Sequence, residues 1–179
     1  MKKTVFLLAS IFVMACGIQS VKAVIAQPGN SASVGANATA TIVKAISINK
    51  VTDLQFGKII ADPTAAGQVA IQTDGSRTIV AGNVVLFNQG SDHQAASFKT
   101  IGSPGAAYYL VFPADGSVSL TGPSGSDPMT IEGFVHSASG TLDATTGEET
   151  FNVGATLNVG ANQAPGQYTG TFTVTAAYN

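Results

Sequence analysis

Charged residues are scarce in this 179-residue chain, at 10% of the total, against about 25% in a typical soluble protein. Lys and Arg total only 8, which excludes a strongly basic nucleic-acid surface. A single Cys cannot pair within the chain, so a disulfide-stapled scaffold is excluded as well. The chain is instead 45% hydrophobic and contains 20 Gly, a composition that favours a folded domain over disorder.

The N-terminus has the pattern of a secretory signal peptide. Lys2 and Lys3 precede a run from Val5 to Ile18 that is apolar but for one serine. A membrane span needs roughly 20 apolar residues, so the run is marginal as an anchor. Small residues follow at the spacing of a signal-peptidase site, and we predict cleavage after Ala23 or Ala26.

Cys16 leaves an alternative open. The segment from Val13 to Cys16 resembles a weak lipoprotein signal, in which Cys16 would become the lipidated first residue. We favour the interpretation that Cys16 is an ordinary apolar residue of the signal. The exported chain then has no cysteine and carries five basic against ten acidic residues, so we expect no nucleic-acid partner.

The rest of the chain has the pattern of β-structure. Short runs rich in Val, Ile, Thr, Phe and Tyr alternate with clusters of Gly, Pro, Asp and Ser, and no window keeps a helical period. We predict an all-β sandwich of two antiparallel sheets. The candidate strands are 38–48, 54–60, 68–72, 77–80, 83–88, 95–101, 107–112, 117–121, 128–135, 148–159 and 166–178.

Three parts are expected along the chain: a signal peptide at 1–26, an N-terminal extension at 27–37, and a single β-sandwich domain at 38–179. The predicted core alternates along the strands and comprises Ile46, Ile48, Leu54, Phe56, Val69, Ile71, Phe98, Leu110, Phe112, Ile131, Phe151, Val153, Leu157, Phe172 and Val174.

The C-terminal segment has the strongest alternation in the chain. From position 166 onward, every second residue belongs to one face that holds all the large apolar side chains. These residues are Gly166, Tyr168, Gly170, Phe172, Val174, Ala176 and Tyr178. An uncovered apolar edge strand is normally protected from pairing by residues such as Lys or Pro. The segment contains neither after Gln167. We therefore predict an edge that accepts another strand.

A second alternating segment lies near the N-terminus. Its apolar residues are small, which suits insertion between two existing strands, and they alternate with Ser, Gly, Asn and Thr. They are Ala32, Val34, Ala36, Ala38, Ala40 and Ile42. We call residues 32–42 the donor segment.

The C-terminal pattern resembles that of chaperone–usher pilin subunits. Gly166 is the fourteenth residue from the end and Tyr178 the penultimate one. The resemblance implies an incomplete immunoglobulin fold, whose groove is filled first by a periplasmic chaperone and then, at an outer-membrane usher, by the extension of the next subunit. Many such pilins carry a disulfide near the start of the domain, and the exported chain here has none.

The body also resembles an uncharacterised bacterial family of exported immunoglobulin-like β-sandwich domains. The shared residues are Ile46-Ser47-Ile48, Leu54-Gln55-Phe56-Gly57, and the closing segments from Phe151 to Ala161 and from Gly166 to Val174. This resemblance implies a fold and a cell-surface location but no activity.

Catalytic and metal sites are not expected. His93 and His136 lie far apart, and Ser124 lies in a Gly-Pro-Ser-Gly-Ser segment rather than a nucleophile elbow. Glu148 and Glu149 are adjacent on a predicted strand and should face opposite sides. We therefore predict a protein that is not an enzyme and has no cofactor.

One tyrosine pair invites a binding interpretation. Tyr108 and Tyr109 are adjacent on a predicted strand, so one ring should face the core and the other solvent. An outward ring could stack on a sugar, but cross-strand packing is the commoner role of such a residue.

Two functions remain open from the sequence. The first is a pilin-like filament subunit that passes through the periplasm and self-associates at the cell surface through its terminal strands. The alternative is a non-polymerising secreted or outer-membrane module for adhesion or binding. In both, the exported chain contains no membrane span.

Overall fold

The computed structural model describes residues 32–90 and 92–179. The predicted signal peptide, with Cys16 and both cleavage sites, lies outside the described residues, as does the start of the extension. The chain divides into two units, Met1–Thr41 and Ile42–Asn179. In the first unit, the described residues 32–41 are exposed and have no assigned strand.

The second unit is built from eleven strands, and the described residues include no helix. The strands are β1 (Ser47–Thr52), β2 (Lys58–Ile60), β3 (Gly67–Ile71), β4 (Arg77–Ala81), β5 (Val85–Phe87), β6 (Ala96–Ile101), β7 (Tyr108–Val111), β8 (Val118–Leu120), β9 (Met129–His136), β10 (Glu148–Val159) and β11 (Thr175–Tyr178). The prediction of an all-β, antiparallel sandwich is confirmed.

The strands form one large sheet and two small ones. The seven-stranded sheet has the order β1-β6-β10-β3-β4, with β9 also on β10 and β8 on β9. The two small sheets pair β7 with β11 and β2 with β5. Every pairing is antiparallel, as expected for strands joined by short Gly-rich turns.

The twelve-residue strand β10 organises the body. Its first half pairs with β6 and its second half with β3, while β9 lies along its other edge. The change of partner from β6 to β3 occurs at Gly154, where a Cβ would collide with the carbonyl oxygen of Ile71. Glycine is needed at this position because two backbones approach closely there.

Two adjacent clusters of buried residues form the core. One contains Val69, Ile71, Ile131 and Leu157 among others, and the second is centred on Phe98, Phe151 and Val153. Most of the predicted core residues are buried or packed against these clusters. The predicted core lacks the buried residues Val84, Val118 and Leu142.

The first and last strands differ from the prediction. The predicted strand at 38–48 is wrong in position, because β1 begins at Ser47 and residues 38–46 pair with no strand of the described chain. The strand predicted at 166–178 is too long. Only Thr175–Tyr178 forms a ladder, with an isolated bridge at Thr169. Both segments alternate like strands, but a strand needs a neighbour to complete its hydrogen bonds.

Candidate assembly groove

An unpaired strand edge and an unpaired chain segment lie beside each other in the body. β1 is an edge strand whose described ladder partner is β6. Residues 170–174, just before β11, have no ladder partner among the described residues. An unpaired edge presents a row of free backbone N–H and C=O groups. We call the space between β1 and this segment the assembly groove.

The groove has two parts of different volume, which we call the narrow part and the wide part. The narrow part is a cavity of about 370 Å³ between β1 and residues 170–174, with Ala96 and Phe98 in its lining. The wide part is a cavity of about 1050 Å³ between residues 53–61 and the segment before Gly170. Asp53, Leu54, Gly170 and Phe172 line both parts, so the two parts adjoin.

The groove lies directly over the core. In the narrow part, Ala96 and Phe98 belong to the second buried cluster. In the wide part, the lining includes Ile131, Leu157 and Val159 of the first cluster. A segment that entered the groove would therefore extend the hydrophobic core, rather than only cover a polar surface.

The C-terminal wall presents its apolar face to the core. Val174 is buried and Phe172 is half-buried, whereas the alternate residues Thr171 and Thr173 are exposed. The Phe172 ring packs 5.1 Å from that of Phe134 and 6.2 Å from that of Phe98, measured between ring centroids. The alternation along this wall therefore follows burial.

Tyr168 anchors the wide end of the wall. Its hydroxyl donates to the carbonyl oxygen of Ala164 at 2.9 Å and accepts from Gln163 Nε2 at 2.8 Å. A Cβ at Gly122 would overlap the Tyr168 ring, so the absence of a side chain there makes room for it.

Tyr178 anchors the opposite end. Its hydroxyl accepts from the Ser103 N–H at 2.7 Å and donates to the Lys44 carbonyl oxygen at 2.7 Å. The Lys44 N–H in turn donates to Ser103 Oγ at 2.8 Å. A Cβ at Gly102 would overlap the Tyr178 hydroxyl, so glycine makes room for it. We call Tyr178, Ser103 and Lys44 the clasp. The alternation in the sequence marked Tyr178 but gave no signal for its two partners.

The donor segment is exposed where it is described. Val34 is 94% exposed and Ile42 is 98% exposed. Its small residues Ala32, Ala36, Ala38 and Ala40 are exposed as well. The assembly role of this segment stays a prediction.

Comparison with known proteins identifies the family of the body. The model of a domain of unknown function, DUF4402, matches residues 46–178. The chain belongs to this family. No curated protein and no solved structure matches the chain. The match includes both walls of the groove, which are therefore part of the DUF4402 domain itself.

The tyrosine pair of the DUF4402 domain divides as predicted. Tyr108 is buried and Tyr109 is 49% exposed. The Tyr108 hydroxyl donates to Glu149 Oε2 at 2.7 Å. Burial first, and then this bond to a carboxylate, hold the pKa of Tyr108 well above its usual value. The phenol thus stays protonated at neutral pH and joins β7 to β10.

The remaining polar candidates of the domain are separate from one another. Glu148 pairs with Lys99 at 2.7 Å, whereas Glu149 binds Tyr108 and the Ser139 N–H, so the two carboxylates have different surroundings. His93 is exposed, and the exposed His136 stacks on Phe112.

Neither a metal-binding cluster nor a membrane-spanning helix occurs within residues 32–90 and 92–179. In these ranges, no three His, Cys, Asp or Glu side chains come together in a way that could hold a metal ion. The same ranges contain no helix long and apolar enough to cross a membrane.

Proposed function

We propose that this protein is a structural subunit of a cell-surface filament, in which the donor segment of one copy fills the assembly groove of the next. The observation that carries the proposal is the groove of two adjoining parts, which begins between β1 and residues 170–174 and lies over the hydrophobic core. Two unpaired edges that face one groove can both be completed by a single added strand.

The chemistry of the groove defines its occupant. The occupant must be extended, so that its N–H and C=O groups can bond to the two edges. It must also be apolar on the face that meets the buried core residues beneath the groove. The donor segment alternates apolar and polar residues in this way. Alanine side chains suit the narrow part, where the cavity is about 370 Å³.

The lengths also agree. At about 3.3 Å per residue, residues 32–42 extend over about 36 Å. The groove wall from Ala164 to Val174 spans the same number of residues and would reach the same length if fully extended. One donor segment is therefore long enough to line both parts of the groove.

The position of the donor segment relative to the two ends of the groove favours an open filament. Lys44, two residues after the donor segment, lies beside Tyr178, beyond the narrow end of the groove. A donor strand that runs antiparallel to residues 164–174 would leave the groove at the wide end. Each body would then contact one neighbour at either end, and a head-to-tail contact of this kind produces filaments.

The resemblance to chaperone–usher pilins supplies the rest of the proposal. By that resemblance, the body is an immunoglobulin-like sandwich that lacks one strand. A periplasmic chaperone covers its groove until an outer-membrane usher exchanges the chaperone for the next donor segment. The predicted signal peptide supports the first step, and the alternating C-terminal segment, with Gly166 and Tyr178, supports the later ones.

The proposal is tested by deleting residues 27–39 from the full chain and examining cell-surface fractions on unboiled SDS gels. We expect high-mass, SDS-resistant ladders from the parent chain, and a folded body without ladders from the deletion. Ladders from the deletion would contradict the proposal. A monodisperse parent monomer at the cell surface would instead support the alternative of a non-polymerising binding module.

A further inference from the structure

The clasp joins the two elements that the proposed assembly uses. Tyr178 belongs to β11, which continues the C-terminal wall of the groove. Lys44 lies two residues after the donor segment and three residues before β1 begins, and we call this position the root of the extension. The Tyr178 hydroxyl donates to the Lys44 carbonyl oxygen, so the strand that continues the groove wall is bonded to the root of the same copy's own extension.

We propose that Tyr178 is a positioning residue, which couples the filling of the groove to the ordering of the extension's root in the same copy. This inference rests on the proposed function. It adds that the groove and the extension of one subunit communicate through the clasp, so that each insertion prepares the next.

The coupling has a direct physical cause. Residues 170–174 lack a ladder partner among the described residues, and β11, which follows them, pairs with β7 over only four residues. Segments with few backbone bonds open readily. A strand in the groove would supply those bonds to residues 170–174 and so reduce fraying of β11, including Tyr178.

The clasp transmits this ordering to Lys44. The Tyr178 hydroxyl bridges the Ser103 N–H and the Lys44 carbonyl oxygen, while Ser103 Oγ accepts from the Lys44 N–H. Both backbone groups of Lys44 are therefore held by the clasp. Coupling is reciprocal by thermodynamic necessity, so an ordered root must also raise the affinity of the groove for its occupant.

Hydrogen exchange at the Lys44 amide tests the coupling. The protein is the full exported chain with Ala36→Asp, which prevents its own donor segment from entering a groove. The probe is a synthetic peptide of residues 32–42, and its binding is measured separately by fluorescence anisotropy. We expect saturating peptide to slow exchange at Lys44 about fivefold or more, the lower range of typical coupling.

Two tyrosine variants separate coupling from packing. Tyr178→Phe keeps the ring but removes both hydroxyl bonds, so the peptide should still bind, while the slowing at Lys44 should be lost. Tyr109→Phe removes a half-exposed hydroxyl opposite Ala177 on the neighbouring strand and should retain the slowing.

A second measurement applies if Tyr178→Phe does not fold. Ser103 does not line the groove, so a purely structural clasp predicts that Ser103→Ala leaves peptide affinity unchanged. The coupling predicts that its affinity falls about fivefold or more.

The outcomes separate the two proposals. Peptide binding with no change at Lys44, or with the same change in Tyr178→Phe, would overturn the coupling and leave the proposed function standing. No peptide binding at all would overturn the filling of the groove, and the coupling with it.

Discussion

Tyr178 and Lys44 are 134 residues apart in the chain, yet the tyrosine hydroxyl donates a hydrogen bond to the lysine carbonyl oxygen at 2.7 Å. The bond closes one end of the body, where the last strand meets the root of the extension. Farther from this bond, β1 and residues 170–174 lie on opposite sides of the narrow part of the groove, with no strand between them. The body is thus closed at the clasp and open along the groove.

Replacement of Tyr108 by Phe should change the alkaline stability of the protein. The pKa of Tyr108 is raised in the folded state. The contribution of Tyr108 to folding stability is therefore fully present below about pH 10, which is the pKa of a free tyrosine. It is lost as the pH rises above that value, because the unfolded chain then releases the proton while the folded chain retains it. The free energy of unfolding of Tyr108→Phe should therefore fall less steeply with rising pH than that of the parent.

The measurement is the free energy of unfolding in urea between pH 8 and pH 11.5. At neutral pH, Tyr108→Phe should be less stable by about 1 kcal/mol, because the bond to Glu149 is lost. Tyr109→Phe is the matched control, since its ring is half-exposed. Parallel alkaline slopes for all three proteins would contradict the assigned role of Tyr108.

Replacement of Gly154 by Ala should destabilise the body. The added methyl group would collide with the carbonyl oxygen of Ile71 and force β10 away from β3. We expect a loss of about 1–3 kcal/mol, the usual range for overpacking. Gly35→Ala is the control, because a Cβ there meets nothing within 4 Å. Equal unfolding midpoints for the two variants would show that the strands tolerate the methyl group.

Much of the fold could be predicted because alternation reports which face of a strand is buried. The strand Glu148–Val159 was predicted with its correct bounds, since it has neighbours on both edges and its pattern is not interrupted. The segment 166–178 alternates just as clearly, but pairing depends on which other strand lies beside it. That information is not local, so the sequence could not show that residues 170–174 lack a ladder partner.

The groove itself was predicted only in outline. The sequence indicated an unprotected last strand, but it did not identify β1 as the opposite wall or show that the groove widens beside Tyr168. Ser103 and Lys44 were also missed. Ser103 contributes a loop amide and a hydroxyl to the clasp, and Lys44 contributes only backbone groups. Hydropathy patterns do not report such contacts.

A charge on the apolar face of the donor segment should block assembly. Val34→Asp would place a carboxylate against the buried apolar residues beneath the groove, and burial of a charge there is costly. Ser33→Asp, one residue earlier, adds the same charge to the solvent-facing side of the inserted strand. We expect SDS-resistant ladders from Ser33→Asp and none from Val34→Asp. Similar ladders from both would show that this face does not enter a groove.

Truncation of Phe172 should weaken both the fold and the groove wall. Its ring packs against both core clusters and is half-buried, so Phe172→Ala should cost less than the about 3–5 kcal/mol of a fully buried phenylalanine. Thr171→Ala, on the exposed side, should cost less than about 0.5 kcal/mol. The comparison uses urea unfolding and the yield of exported protein. An unchanged yield for Phe172→Ala would contradict its role in the acceptor wall.

Disulfide trapping between two different copies tests the filling of the groove most directly. One chain, purified from residue 27 onward and therefore free of cysteine, receives Gly35→Cys, Asn37→Cys or Thr39→Cys on the outward side of the donor segment. The second receives Thr171→Cys on the groove wall or, as a control, Thr78→Cys on the distant edge strand β4. A disulfide forms only when the two Cβ atoms come within about 4.5 Å. The account predicts that at least one donor position gives a mixed disulfide dimer with Thr171→Cys and none with Thr78→Cys. If no donor position links to Thr171→Cys, or if both partners link equally, the donor segment does not occupy the groove.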